Sequence, residues 1–234
     1  MHLFPTGYRS RDVISLYYGG ETIASNKINQ VIEDALQSER ERKFVETVEV
    51  AINLRDVDLQ NPQKRINAEV ALPHGRGRPA RVAVFAQGEM AAISKKIVDT
   101  VISPAQIDEF SENKREARKL ADKFDFFVAE TGLMATIGKS LGVVLGPRGK
   151  MPRPIPPQAD IARIIKSLTN LVPVRSKDRP TFHVPFGNVS MSQEQLADNL
   201  ETILKRVESN LDRGNDNIAS IWVKTTMGKA VRLG

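Results

Sequence analysis

The chain has 234 residues, of which 34 are basic and 28 acidic, so its formal net charge is +6. The absence of cysteine excludes disulfide frameworks, thiolate metal sites and cysteine nucleophiles. Three scattered histidines and no apolar run near the ~18 residues of a membrane span lead us to predict no metal, no cofactor and no membrane partner. The mildly basic balance favours a polyanionic partner.

The first 25 residues show no lasting helical or strand period, although they hold all three tyrosines. We predict that residues 1–25 are a disordered extension. Two alternatives remain open, namely a binding tail and a start codon assigned too early. In the second case Gly19 and Gly20 would be the translation of a purine-rich leader.

Regular structure is predicted from residue 26 onwards. Apolar residues at helical spacing predict a helix over 26–36, and strict alternation predicts a half-buried strand over 47–54. A second short strand is predicted at 66–72. From residue 81 the predicted middle third alternates short apolar strands, at 81–86 and 126–129, with helices at 90–101, 111–124 and 133–141. This rhythm is typical of a parallel α/β unit.

A Gly/Pro-rich stretch at residues 145–157 is predicted to be a loop and domain junction. Beyond it, Asp160 is placed to cap a helix, and Ser192 with Gln195 forms a capping box for a second helix. Strands are predicted at 171–174, 181–185, 219–225 and 230–233. We therefore predict an α/β fold in which both chain ends carry antiparallel strands and amphipathic helices.

Two glycine-containing segments resemble phosphate-binding loops but fail in detail. Gly75-x-Gly77-x-x-Ala80 precedes a strand, whereas a dinucleotide fingerprint follows a strand and opens a helix. The run ending at Gly149-Lys150 has Val144 where a phosphate loop needs glycine, and Met151 where it needs a hydroxyl. We therefore predict a protein that is not an enzyme and has no catalytic residues.

Three segments have side chains suited to RNA phosphates and 2′-hydroxyls: residues 40–47, 73–78 and 220–229. Each combines cations with hydroxyls, glycines or an aromatic ring. Taken alone, each is also typical of a solvated turn or hairpin, so composition leaves RNA binding open.

Longer motifs carry a family resemblance. They are Lys43-Phe44 with Glu46-Thr47-Val48-Glu49, then Leu72-Pro-His-Gly-Arg-Gly-Arg78, then Gly142-Val-Val-Leu-Gly-Pro-Arg-Gly-Lys-Met-Pro-Arg-Pro154, then Lys224-Thr-Thr-Met-Gly228. With these motifs in this order, the chain resembles the archaeal form of the ribosomal protein L-one family, the mobile-stalk protein of the large subunit. The resemblance covers residues 28–234.

The resemblance implies two domains. Residues 26–72 with 156–234 would form an RNA-binding domain, and residues 73–155 an inserted Rossmann-like domain. It also implies a cytoplasmic, non-enzymatic part of the 50S subunit that binds 23S-type rRNA and assists release of deacylated tRNA from the exit site. As a translational repressor it would also bind its own mRNA. The alternatives are a free-standing mRNA-binding regulator and a nucleotide-binding α/β enzyme.

The family's RNA contacts, carried over by motif, fall on eight residues: Lys43, Phe44, Glu46, Thr47, Ser220, Thr226, Met227 and Gly228. Phe44 and Met227 would form an apolar wall for the sugar edge, and the Ser220 and Thr226 hydroxyls would bond RNA. Lys43 would contribute the salt-sensitive contact, and Gly228 would keep the path clear. The alternatives place Phe44 in the core and Met227 in hairpin packing.

A second, less specific set could contact RNA or form a hinge: His74, Arg76, Arg148, Lys150, Gly187 and Asn188. For the loop at residues 146–154 two roles compete. Its prolines and glycines would fix the angle between the domains, which we favour, or its cations Arg148, Lys150 and Arg153 would touch RNA.

Overall fold

A computed structural model describes residues 16–18, 21–23, 25–37, 42–98, 100–156 and 158–234. The chain divides into two compact units, residues 1–77 with 172–234 and residues 78–171. The strands are β1 (Leu16–Tyr18), β2 (Glu21–Ile23), β3 (Thr47–Leu54), β4 (Asn67–Ala71), β5 (Val82–Phe85), β6 (Val101–Ile102), β7 (Phe126–Glu130), β8 (Arg153–Ile155), β9 (Leu171–Arg175), β10 (Thr181–Asn188), β11 (Ile218–Thr225) and β12 (Val231–Arg232). The helices are α1 (Ser25–Leu36), α2 (Gly88–Ser94), α3 (Pro104–Glu112), α4 (Lys114–Lys123), α5 (Met134–Leu145), α6 (Ile161–Thr169) and α7 (Gln193–Glu208).

The unit built from both chain ends contains an antiparallel sheet in the order β10-β3-β11-β12. Alternate residues of β3 are buried, as the sequence pattern predicts, and they form one core with the apolar faces of α1 and α7. Ser192 and Gln195 make the predicted capping box at the start of α7. The residues between the buried ones lie on the opposite, open face of the sheet.

The second unit has a parallel sheet in the order β6-β5-β7-β8. Residues of α3, α4 and α5 fill one core cluster with this sheet, and residues of α2 and α6 fill the other. Asp160 caps α6 as predicted, its side chain accepting a hydrogen bond from the Arg163 amide. The predicted α/β fold class is confirmed.

Three element predictions were wrong in this unit. The helix expected over 90–101 ends at Ser94, because pairing with β5 draws Val101 and Ile102 into a strand. The helix expected over 111–124 is two helices, since the Asn113 side chain accepts hydrogen bonds from the Arg115 and Glu116 amides and starts α4. Part of the expected 145–157 loop is strand β8, whose edge position tolerates Pro154.

The unit boundaries lie at other residues than the ones expected from the sequence. The chain leaves the first unit after Gly77 and returns after Leu171, rather than at residues 72 and 156. Helix α6 accounts for the second difference, because Ile161 and Leu168 are buried with Val82 and Val84 of the parallel sheet. Within the expected N-terminal extension, β1 and β2 form a short antiparallel pair. The other residues before Ser25 lie outside the described part of the chain.

Candidate nucleic-acid interface

Distant parts of the sequence meet where β3 begins. Because β3 is antiparallel to both of its neighbours, Thr47 lies opposite Asn188 of β10, and Val48 lies opposite Thr225 of β11. The strand start and the turn after β11 are thereby brought together. We call residues 43–47 and 225–228 the sheet-end site.

Thr47 and Thr226 join the two halves of this site across 179 positions of sequence. The Thr47 amide donates to Thr226 Oγ1 at 3.1 Å, and the Thr226 amide donates to the Thr47 carbonyl at 3.0 Å. The Thr226 hydroxyl also donates to that carbonyl at 3.3 Å. Thr226 is exposed, but its hydroxyl already accepts one hydrogen bond and donates another within the protein. A hydrogen bond to RNA would therefore use the remaining lone pair of this hydroxyl.

The buried side chain of Glu46 stabilises the same turn. Its side chain is only 4% exposed, and Oε1 accepts a hydrogen bond from the Met227 amide at 3.0 Å. Its backbone carbonyl accepts another from the Val189 amide, just beyond β10. This residue therefore positions the turn instead of offering a carboxylate to a ligand.

Large apolar side chains are exposed around these bonded residues. Phe44 is 53% exposed and Met227 is 59% exposed, and Val45 is also exposed. The alternative that Phe44 is a core residue is therefore wrong. Lys43 is exposed on the segment that leads into β3. Apolar surface with a cation beside it can cover a sugar edge while the cation meets phosphate.

Gly228 is required by the turn itself. Its amide donates to Thr225 Oγ1 at 3.0 Å, and a Cβ at this position would collide with that same hydroxyl. Thr225 is fully buried and cannot easily move aside. Glycine at this position therefore lets the chain pass close to the Thr225 side chain, a role that the sequence did not reveal.

Ser220 does not lie with the other predicted residues. It is near the opposite end of β11, roughly 20 Å from Thr226 at the usual strand rise. Its hydroxyl accepts hydrogen bonds from Asn53 Nδ2 at 2.6 Å and Trp222 Nε1 at 3.1 Å, on the open face of the sheet. The predicted set is therefore divided between the sheet-end site and the open face.

Gly187 and Asn188 support the sheet-end site. Gly187 is buried at a bulge in β10, where a Cβ would overlap the Leu196 side chain of α7. Asn188 Nδ2 donates to the Gly77 carbonyl at 3.1 Å, and its Oδ1 accepts from Ser190. Both residues therefore have structural roles in the fold.

His74 and Arg76 belong to the segment that follows β4. His74 Nε2 lies 2.9 Å from Asp198 Oδ2, and its amide donates to the buried side chain of Asn199. Arg76 is only 8% exposed, which makes it poorly placed for direct contact with a phosphate. The contacts of His74 fasten this segment to α7.

The cations of the 146–154 loop are engaged within the second unit. Arg148 forms an ion pair with Asp122 at 3.3 Å. Lys150 Nζ donates to the carbonyls of Ala121 and Phe124, at 2.8 and 2.9 Å, where α4 ends. Burial lowers the pKa of Lys150 below its ordinary value, against the opposing pull of Asp125 and Asp122. These contacts hold the loop against the helices of its own unit.

The sequence analysis missed Asn53 and Thr181 on the open face. Thr181 Oγ1 donates to Asn53 Oδ1 at 2.6 Å, and Asn53 in turn donates to Ser220. The alternation of β3 did place Asn53 away from the core, but only the strand register shows what stands beside it.

A metal-binding cluster and a membrane-spanning helix are both absent from the part of the chain that the structure describes. There, three or more His, Asp or Glu side chains nowhere gather closely enough to hold a metal ion. Among the same residues, none of the helices has both the length and the apolar character needed to cross a membrane.

The chain matches the model of the ribosomal protein L1p/L10e family over residues 36–229. It is 50% identical to the large ribosomal subunit protein uL1 of Methanothrix thermoacetophila, over 88% of this chain and 98% of that protein. The uL1 protein of Thermoplasma volcanium is 48% identical over 89% of this chain and 96% of its own length. The uL1 protein of Archaeoglobus fulgidus is 47% identical over 90% of this chain and 99% of its own length.

Proposed function

Because the chain belongs to the ribosomal protein L1p/L10e family, we propose that it binds large-subunit rRNA directly through the sheet-end site. The family is a structural, non-enzymatic one, and the chain is accordingly a component of the large ribosomal subunit. The observation that carries the rRNA proposal is the pair of bonds that fix the turn, Thr47 to Thr226 and Glu46 to Met227. They fix the turn that carries the exposed Met227, and they hold Glu46 and Thr47, which follow the exposed Phe44 in the chain.

A preformed surface of this kind suits shape recognition of RNA. A folded RNA offers sugar edges, 2′-hydroxyls and phosphates more readily than base edges in a deep groove. Phe44 and Met227 would pack against a sugar edge, and Lys43 would meet a phosphate. Since Glu46 and Thr225 already bond the Met227 and Gly228 amides, little backbone entropy of the turn remains to be lost on binding.

The finer roles that the family resemblance implies belong to the same proposal. The protein would help deacylated tRNA to leave the exit site, and it would repress translation by binding a similar site in its own mRNA. Both roles require that the RNA-binding site exist, and a cytoplasmic location goes with them. The unit built from both chain ends would bind RNA, and residues 78–171 would form the inserted domain.

A gel-shift titration tests the rRNA proposal. The full chain is titrated against a large-subunit stalk rRNA fragment at two salt concentrations, with bulk tRNA as competitor. Tight binding that survives the competitor is expected, and weak binding that the competitor abolishes would contradict a specific site. Two matched variants each remove one exposed methionine: Met227→Ala in the sheet-end site, and Met151→Ala in the second unit as its control.

Co-sedimentation separates the ribosomal role from regulation alone. The protein should travel with large subunits through a sucrose gradient and should leave them when Met227 is replaced by Ala. A protein that binds its mRNA but never sediments with subunits would be a free-standing regulator.

A further inference from the structure

Two isoleucines are exposed one helical turn apart in the second unit. Ile93 is 46% exposed and Ile97 is 39% exposed. Helix α2 ends at Ser94, but helical hydrogen bonding continues for one more turn, since the Ile97 and Val98 amides donate to the Ser94 carbonyl at 3.0 and 2.9 Å. The two isoleucines are therefore neighbours on one side of the helix, and we call them the α2 patch.

The core of this unit is filled by other residues of the same helix. Met90 and Ser94 are its buried residues, and Val98 packs partly buried against the same cluster. Ile93 and Ile97 thus keep apolar area in water whose burial would be favourable. Exposed apolar side chains that adjoin one another and have a polar rim are typical of an interaction surface.

The rim of the α2 patch is basic. Lys95 and Lys96 are exposed between the two isoleucines in the sequence. Helix α6 packs on the same face of the parallel sheet, and its Arg163 and Lys166 are exposed as well. The segment 90–98 and helix α6 contain no aspartate or glutamate. Among the described residues, none of these four cations is in an ion pair.

We propose that the α2 patch docks an acidic amphipathic helix of a partner protein. Leucine-sized side chains of that helix, three or four residues apart, would cover Ile93 and Ile97. Its carboxylates would face Lys95 and Lys96, so that charge complementarity selects the partner and sets its orientation. The inference goes beyond rRNA binding, because the sheet-end site belongs to the other unit.

Two other anionic partners fit these observations less well. RNA would satisfy the lysines, but it has no aliphatic side chains to cover the isoleucines. An anionic membrane offers both charge and hydrocarbon, yet an interfacial helix must insert its apolar face roughly 5–10 Å deep. Ile93 and Ile97 are each more than half buried against their own unit, so they do not reach that depth.

Fluorescence anisotropy with a designed peptide tests the proposal. The full chain is titrated against a labelled peptide of about 15 residues, with leucines on one helical face and glutamates on the other. Saturable binding is expected, and it should weaken roughly fivefold in Ile93→Ser and in Ile97→Ser, because each loses buried apolar area. The same peptide with lysine in place of glutamate should bind at least roughly tenfold more weakly, because its charges repel Lys95 and Lys96.

Helix α5 packs on the opposite face of the parallel sheet and supplies the matched controls. Val143→Ser removes an apolar side chain that is 73% exposed there, and it should leave peptide binding unchanged. Lys139→Glu is the charge control for Lys96→Glu, which should weaken binding strongly at low salt and less at high salt. Unfolding midpoints show whether each variant is folded, and binding of the stalk rRNA fragment should be the same in Ile93→Ser and wild type.

Several outcomes would overturn the inference. One is a wild type that shows no saturable binding of the acidic peptide below about 1 mM. Another is that folded Ile93→Ser and Ile97→Ser bind the peptide as tightly as the wild type, or no worse than Val143→Ser. Phosphatidylglycerol vesicles or duplex RNA that bind the wild type, and bind Ile93→Ser more weakly, would assign the patch to lipid or to RNA instead. Loss of rRNA binding with peptide binding intact would contradict the proposed function and support this inference alone.

Discussion

The buried carboxylate of Glu46 accepts a hydrogen bond from the backbone amide of Met227 at 3.0 Å. The two residues are 181 positions apart in the sequence. An acidic side chain at an RNA-binding surface would repel phosphates if it faced them, but this one faces the protein's own turn. Its expected contribution to binding is therefore indirect, through the position of Met227.

Substitution of Glu46 should separate these two roles. In Glu46→Ala the Met227 amide loses its partner, and we expect a loss of about 1–3 kcal/mol in the free energy of unfolding, with weaker binding to the rRNA fragment. Glu46→Gln keeps an acceptor oxygen and should retain most of both. Chemical denaturation and gel shift measure the two effects. Tighter RNA binding by Glu46→Gln would instead mean that the carboxylate repels the ligand.

Gly228 should be intolerant even of alanine, because the new Cβ would meet Thr225 Oγ1. We expect Gly228→Ala to lower both the unfolding midpoint and the RNA affinity. The matched control is Gly138→Ala, in α5, where a Cβ meets nothing within 4 Å and where alanine should stabilise the helix by roughly 0.5–1 kcal/mol.

A double-mutant cycle identifies the collision as the cause. Thr225→Ala removes the hydroxyl and its bond to the Gly228 amide, so it destabilises the turn by itself. The double variant should nevertheless be more stable than the sum of the two single effects. Strict additivity of the two unfolding free energies would show that Thr225 is not what Gly228 avoids.

The sequence predicted the fold well where its periodicity was long. Helix α1, strand β3 and the capped helix α7 follow directly from apolar spacing and cap residues. It failed where tertiary pairing overrides local preference. Strand β6 has only two residues, too few for any period, and it exists because β5 lies beside it.

The motifs identified the residues of the candidate site but not their geometry. The turn motif at 226–228 and the Glu46-Thr47 motif are adjacent because of strand order, which sequence alone did not give. The motif also placed Ser220 beside Thr226 in function, whereas the strand separates them. The hydrogen bonds that join Thr181, Asn53 and Ser220 depend on the register of three strands. The sequence of any one strand therefore could not predict them.

Lys150 should give the second unit a distinctive pH dependence. Burial lowers the pKa of Lys150 in the folded protein below the ordinary value of 10.5, which applies to the unfolded chain. At a pH between the folded and unfolded pKa values, the unfolded chain therefore binds more of this proton than the folded chain does. Stability contributed through this group therefore rises as the pH rises through that window. Below the window both states are protonated, and the burial penalty is fully present.

The test compares wild type with Lys150→Met across this alkaline range. The wild type should gain unfolding free energy relative to the variant as the pH approaches 10.5, and the variant should also lose the two bonds to the end of α4. Lys139→Met removes an exposed lysine of the same unit as a control. Parallel pH profiles for wild type and Lys150→Met would contradict the assignment.

Lys43 should account for about one phosphate contact in the salt dependence of RNA binding. It is exposed on the approach to β3, next to Phe44, where a backbone crossing the apolar surface would meet it. In Lys43→Gln the slope of log K against log salt should become shallower by roughly 0.7–0.9, because one fewer counterion is released. Titrations at several salt concentrations measure this slope directly.

Lys27→Gln, an exposed lysine on α1, provides the matched charge control. Both variants lower the net charge by one, so any effect of overall charge on the encounter with RNA is shared between them. Only the Lys43 variant should change the slope, and unfolding midpoints should stay the same in both. Equal slopes for Lys43→Gln and wild type would remove this lysine from the interface, and the apolar surface of Phe44 and Met227 would then have to bind RNA without it.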